Sequence, residues 1–264
     1  MIPERLTPGT IEWQVLEAEH RQRYEYFSPQ YRGLSVLDIA CGVGYGSQVL
    51  AQRGAAQVTG VDISKEAVEY ARTHFSHANV KFLGGDATHL GQLGKCFDAA
   101  VSFETIEHLS NPADLIREVH GVLKPGGLFV CSTPNRDYRR RGAAKNPYHM
   151  CEWSYQQFHD GFSRYFAMES QYHQSPSPVY LRHLELLSEL SGIHKQLRFS
   201  LAFRTEAMLR RAFGKEPVNG HSLPEALWRI TPGDYVIEPV SEPSADHLVY
   251  IFVGRARNLA DQHS

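Results

Sequence analysis

From Leu34 onward, short apolar runs alternate with amphipathic stretches, and this alternation constrains the fold more than any other feature of the chain. Strands buried on both faces read as nearly continuous apolar runs, and the helices that join parallel strands carry a single apolar stripe. The spacing predicts strands at Ser35 to Ile39, Gln57 to Val61, Val80 to Leu83, Phe97 to Phe103 and Leu128 to Ser132. Helices are expected near Gly46 to Arg53, Lys65 to Phe75 and Pro112 to Leu123, with Ser64 as N-cap of the second and Asn111-Pro112 opening the third. Lys124-Pro125-Gly126-Gly127 is expected to end that helix and turn into the fifth strand. A sixth unit follows, with Ser154 to Phe166 as helix and Met168 to His173 as strand, and His247 to Gly254 returns to the sheet as its last strand.

Three regions follow from this pattern. Residues 1–30 precede the sheet, and their Glu19 to Tyr24 run reads as a helical lid over its carboxyl edge. Residues 31–175 and 246–257 form the α/β core. Residues 176–245 break the alternation between Ser175-Pro176-Ser177-Pro178 and Glu242-Pro243-Ser244. With helix-like stretches at Val179 to Leu190 and Thr205 to Phe213, they read as an inserted substrate-side cap. Charge bears on the partner: Lys plus Arg is 27 and Asp plus Glu is 29, so the net charge of −2 lacks the global basicity of many nucleic-acid binders. The amino terminus has no leader pattern, and no apolar run reaches the roughly 18 residues of a membrane span. A soluble cytoplasmic protein is therefore expected. Cys41, Cys96, Cys131 and Cys151 form no CxxC pair and read as reduced structural thiols.

The first strand runs into Asp38-Ile39-Ala40-Cys41-Gly42-Val43-Gly44-Tyr45-Gly46, a glycine-rich turn before a helix. Glycine lets the backbone approach a ligand, and the helix start presents unpaired N–H groups. Dinucleotide-binding folds use a related turn, so the glycines alone decide little. Asp38 adds information, since a carboxylate there repels a pyrophosphate but suits a cationic amino group. Asp62, at the end of the second strand, stands where a carboxylate accepts both hydroxyls of a ribose. Asp86, after the third strand, is placed to accept from an adenine amine.

These motifs, together with Lys124-Pro125-Gly126-Gly127, resemble the class I S-adenosylmethionine-dependent methyltransferases, strongly over about residues 34–135 and weakly to about 170. The resemblance implies a Rossmann-like sheet with helices on both faces and S-adenosyl-L-methionine as cofactor. It places Asp38, Ala40, Gly42 and Gly44 around the methionyl portion, Asp62 on the ribose, and Ile63, Asp86, Ala87 and Phe103 at the remaining cofactor positions. Glu19-His20 and Tyr24 are similar to a segment of methyltransferases associated with polysaccharide biosynthesis, which adds His20 and Tyr24 as cofactor-side candidates against simple helix packing.

After the fourth strand, Glu104, Glu107 and His108 stand at i, i+3 and i+4 and share one face if the segment turns helically. Two carboxylates and an imidazole suit Mg²⁺ or Mn²⁺, and His149, in the loop after the fifth strand, supplies a fourth candidate ligand. The ExxEH turn with a later histidine is similar to the metal site of ubiquinone-pathway O-methyltransferases and of small-RNA 2′-O-methyltransferases. Two alternatives stand beside the metal: His149 as metal-free general base, and a purely structural role. Arg136, Arg139, Arg140, Arg141 and Lys145 make a basic loop that is either solvated or clamps an acceptor anion. Tyr155, Tyr180 and Trp228 read as core or as stacking surfaces for sugar rings. The expectation is a metal-assisted O-methyltransferase acting on a small-molecule or oligosaccharide acceptor, a saccharide or glycosylated compound first. A catechol-like hydroxyl, an RNA 2′-hydroxyl and a non-catalytic cofactor-binding regulator are the alternatives.

Overall fold

The structure is a computed structural model that describes residues 11–94, 96–139, 148–177, 231–244 and 247–258. Helix α1 (Ile11–Phe27) leads into an eight-stranded sheet. Its central strands are β1 (Ser35–Ile39), β2 (Gln57–Asp62), β3 (Val80–Gly84), β4 (Phe97–Phe103) and β5 (Leu123–Pro134). Helices α2 (Tyr45–Gln52), α3 (Lys65–His74) and α4 (Pro112–Val122) are the crossovers. A short α5 (Arg136–Arg139) follows β5, and α6 (Tyr155–Ser163) precedes β6 (Phe166–Pro176), β7 (Tyr235–Pro239) and β8 (Val249–Ala256). The order is β3-β2-β1-β4-β5-β8-β6-β7, parallel from β3 to β5 and antiparallel beyond.

Alternating residues of the central strands feed two apolar layers. Val36, Val58, Ala99, Val101 and Val130 face α1 and α2 through Phe27, Val49 and Leu50. Leu37, Ile39, Ala100, Phe129 and Phe252 face α4 and α6 through Leu115, Val119, Phe158 and Phe162. Phe252 stacks on Phe158 with ring centroids 4.1 Å apart. Local chemistry sets the helix starts: Ser64 accepts from the Ala67 N–H at 3.1 Å, and Ser154 and Gln157 close a capping box at α6. Asn111 makes no side-chain cap bond, and α4 instead starts on Pro112, whose missing N–H costs nothing there.

Two elements differ from the sequence expectation. Lys124-Pro125-Gly126-Gly127 lies inside β5 rather than before it, because Leu123 already pairs with Phe97 and the register shifts before Leu128 pairs with Ala99. Gly126, at φ 72, takes up the irregularity. Tyr235–Pro239, within the stretch read as an insertion, is an edge strand on β6. The helix-like stretches at 179–190 and 205–213, Tyr180 and Trp228 lie outside the described residues, as do Arg140, Arg141 and Lys145. No helix among the described residues is long and apolar enough to cross a membrane, and all four cysteines are free.

Candidate functional site

Parallel strands that share a direction place their carboxyl ends along one edge, and between β1 and β4 the strand order reverses, leaving a crevice. Asp38, Asp62, Asp86 and Glu104 all stand at or just past such ends.

The cofactor side is built on the turn after β1. Ala40, Gly42 and Gly44 have φ of 56, 55 and 94, so the chain curls through left-handed conformations before α2. A side chain at Gly44 would put Cβ 2.6 Å from that of Ala71, whereas one at Gly42 would meet nothing within 4 Å. Packing thus requires Gly44, while Gly42 is favoured by its left-handed φ and stands beside open space. Asp38 is fully buried; the hydroxyls of Tyr24 and Ser47 donate to its carboxylate at 3.0 and 2.6 Å. Burial pushes its carboxyl up to about 7, against the pull of those two hydrogen bonds. Asp62 accepts from the Gly42 and Ser64 N–H groups, both at 2.9 Å, one on each oxygen. A carboxylate oxygen has two lone pairs, so accepting one N–H does not by itself exhaust either of them. Asp86 is held below the usual carboxylate range by the Thr88 N–H and hydroxyl.

Ile63 is 68% exposed, an apolar side chain left uncovered beside Asp62. Ala87 is half-buried nearby in sequence, and Phe103 is buried edge-on to Tyr24 with centroids 4.9 Å apart. Tyr24 therefore reaches the Asp38 end of the site from α1, and His20 lies half-buried one turn earlier on the same helix.

On the acceptor side, Glu107, His108 and His149 come together, with one potential ligand atom from each lying within 4.8 Å of the others. The loop carrying His149 is tied to the turn at Ile106–His108: the Met150 and Cys151 N–H groups donate to the Glu107 carbonyl at 2.8 and 3.1 Å. His108 Nδ1 lies 3.1 Å from the Tyr148 carbonyl, and His149 Nδ1 lies 2.6 Å from Glu152 Oε1. Both partners can only accept, so both Nδ1 atoms carry protons and each Nε2 is the nitrogen presented for base or ligand chemistry. The Thr133 hydroxyl donates to Glu107 Oε2 at 3.1 Å, and Glu107 Oε1 stands 3.9 Å from His108 Nε2. Imidazoles oriented through Nδ1 by a carbonyl and a carboxylate, beside an anchored carboxylate, are the arrangement that metal-binding histidines adopt, so these three residues fit a divalent cation.

Glu104 is not in that group. Its segment forms a single tight 3-10 turn beginning at Ile106 rather than an α-helix, and Glu104 precedes it with φ 52. The shared face assumed from i, i+3 and i+4 spacing therefore does not form. The Glu104 carboxylate instead accepts from the Ser132 hydroxyl at 2.8 Å and lies 4.0 Å from the buried Arg23 guanidinium. Glu152, Thr133 and Arg23 were missed by reasoning along the sequence. Only Glu152 left a signal there, as the acidic residue three positions after His149. Arg136 donates to Gln157 at 2.9 Å and sits 3.6 Å from Asp137.

A doubly wound sheet in this order, with carboxylates at three successive strand ends and a glycine turn after the first, defines the class I S-adenosylmethionine-dependent methyltransferase fold. Residues 37–131 match the family described as methyltransferase domain. A protein of Mycolicibacterium smegmatis named as a probable S-adenosylmethionine-dependent methyltransferase is 32% identical over 151 residues, covering 56% of this chain and 58% of its own. A ubiquinone biosynthesis O-methyltransferase of Ruegeria pomeroyi is 37% identical over 109 residues, 40% of this chain and 44% of its own. The chain thus spans about half the length of these curated relatives. Among solved structures, an S-adenosylmethionine-dependent methyltransferase from Mesorhizobium loti superposes with a TM-score of 0.52 at 19% identity, over 94% of this chain and 98% of its own. The cyclase SpnF, at a TM-score of 0.57 and 21% identity over 97% and 86%, has the same fold. The fold is therefore not by itself a reaction.

Proposed function

We propose that this protein transfers the methyl group of S-adenosyl-L-methionine to a hydroxyl of a small-molecule acceptor, with Glu107, His108 and His149 holding a divalent cation on the acceptor side. The observation that carries the reading is the pinning of both imidazoles through Nδ1, in a group with Glu107 whose potential ligand atoms lie within 4.8 Å of one another. The similarity of 109 residues of this chain to a ubiquinone biosynthesis O-methyltransferase supports a hydroxyl acceptor.

Asp38 offers a buried carboxylate to the cofactor's ammonium, Asp62 accepts from the ribose hydroxyls, Ile63 packs on the adenine and Asp86 accepts from its amine. Methyl transfer from a sulfonium needs little activation of the donor, so the work left to the protein is alignment and removal of the acceptor proton. A bound divalent cation would lower the pKa of a coordinated hydroxyl and orient it. Glu107 keeps its carboxylate turned by Thr133, and Glu152 fixes the His149 tautomer so that the Nε2 lone pair is left for the cation. With two imidazoles and one carboxylate, the set favours Mn²⁺ over the all-oxygen preference of Mg²⁺. A second reading, favoured by the 2.6 Å His149–Glu152 contact, makes His149 a metal-free general base.

The test is mass-spectrometric detection of methyl transfer to pooled saccharides, glycosides and phenols, with Mn²⁺ or with a chelator. Product that vanishes with chelator supports the cation reading, and saccharide product supports that acceptor class. Product indifferent to chelation selects His149 as base. No product from any pool, with cofactor still bound, counts against a small-molecule hydroxyl acceptor.

A further inference from the structure

We propose that Arg23 is a positioning residue of this site: it withholds Glu104 from the group formed by Glu107, His108 and His149, so that α1 sets the site's affinity for a divalent cation. The proposal rests on the cation reading above.

Arg23 is fully buried, a costly place for a guanidinium. Its Nη1 donates to Glu19 at 3.3 Å and to Gln174 of β6, while Nε and Nη2 have no hydrogen-bond partner among the described residues. The second carboxylate in reach is Glu104, 4.0 Å from Nη1. In so dry a setting the attraction between the two is strong. Glu104 stands at the end of β4 in a left-handed conformation that a β-carbon makes unfavourable, and Ser132 and Arg23 hold its carboxylate toward α1. Glu19 already offsets the Arg23 charge, so Glu104 can exchange Arg23 for a cation without leaving the guanidinium unpaired. Glu104 is thus held by Ser132 of β5 and Arg23 of α1, outside the group at Glu107.

The same helical turn reaches the cofactor side. Tyr24, adjacent to Arg23, donates to Asp38, and its ring packs against Phe103, the residue before Glu104. Gly46 seats that ring so closely that a Cβ there would lie 2.1 Å from it. An ammonium arriving at Asp38 competes with the Tyr24 hydroxyl, and any shift of Tyr24 moves Arg23 with it. Cofactor and cation should therefore bind with positive, reciprocal coupling.

The test is Mn²⁺ titration of the full chain by electron paramagnetic resonance, with and without S-adenosylhomocysteine. Glu104→Gln alone should leave the cofactor-free Mn²⁺ affinity within about twofold of wild type, since Glu104 is not yet a ligand. Arg23→Gln, made together with Glu19→Gln to keep the buried charge balanced, should raise that affinity about tenfold, within the range that supporting residues of metal sites control. Adding Glu104→Gln to that pair should cancel the gain. S-adenosylhomocysteine should tighten Mn²⁺ binding in wild type but not in Glu104→Gln. A tenfold loss in Glu104→Gln alone would make Glu104 a resident ligand and overturn the proposal, and it does so whether or not the Arg23 variant folds. A gain that survives in the triple variant would reduce Arg23 to a distant charge and overturn it equally. Mn²⁺ binding that responds to Glu107→Gln but not to Arg23 would leave the cation reading standing and defeat this proposal alone. Absence of Mn²⁺ binding in wild type and in the Arg23 variant would defeat both.

Discussion

Asp38 makes cofactor binding depend on pH in a way that can be worked out from its surroundings. The carboxyl is buried, the hydroxyls of Tyr24 and Ser47 are its partners, and desolvation lifts it to about 7. About nine in ten molecules then carry ionised Asp38 at pH 8 but only about one in ten at pH 6. A ligand that brings an ammonium to this carboxylate binds the ionised form, so affinity for S-adenosylhomocysteine should fall about tenfold from pH 8 to pH 6, about 1.4 kcal/mol. Binding at pH 6.5 should also release most of a proton. Titration calorimetry in two buffers of different ionisation enthalpy reads both quantities. Asp38→Asn should bind more weakly at pH 8 and lose the slope, which separates Asp38 from any titration of the ligand. Affinity that stays flat between pH 6 and 8 in wild type, or an equal slope in Asp38→Asn, would refute the reasoning. The sign for stability is opposite. A carboxyl whose folded value is raised resists ionising in the fold, so its contribution to the cofactor-free protein declines as pH rises from about 4 toward 7. Stabilisation by the cofactor should accordingly be larger on the alkaline side of that window, as melting curves with and without ligand will show.

Three further outcomes follow from the geometry. Asp62→Ala should weaken S-adenosylhomocysteine by about 2 kcal/mol, since it removes the ribose acceptor and strands the Gly42 and Ser64 N–H groups, while Glu107→Ala should spare that affinity and abolish turnover. Equal losses of cofactor affinity in calorimetry would contradict this division. Glu152→Gln should lower kcat about tenfold or more with little change in melting temperature, because His149 loses the charge that fixes its tautomer. A matching drop in kcat and stability would make Glu152 merely structural. Gly46→Ala should cost about 1–3 kcal/mol of stability by pressing on the Tyr24 ring, and should not weaken cofactor binding, because the Tyr24 hydroxyl it displaces competes with the ammonium for Asp38. Chemical denaturation paired with calorimetry checks both, and an unchanged stability would mean that the ring yields freely.

The local elements were legible in the sequence because their causes are local. Apolar runs and caps such as Ser64 and Ser154 set the strands and helices, and right-handed crossovers align strand ends on one edge, so Asp38, Asp62 and Asp86 could be placed together from position alone. The Tyr235–Pro239 strand could not be seen this way, because its partner is β6, more than 50 residues back along the chain. The acceptor side was only half legible for the same reason. Its histidines and acids stood out by type, but their grouping depends on backbone angles and on contacts between distant segments. Glu104 was expected beside Glu107 by helical spacing, and one left-handed residue and a short tight turn send it to Arg23 of α1 instead. His149 joins Glu107 through hydrogen bonds from its loop to the Glu107 carbonyl, which no periodicity records. Sequence alone determined the scaffold and the row of aspartates at its strand ends, which follow from short-range propensity and strand topology. Tertiary structure decided which acidic side chains share a site, because the electrostatic partner of a buried charge is whatever the fold brings within a few ångströms of it.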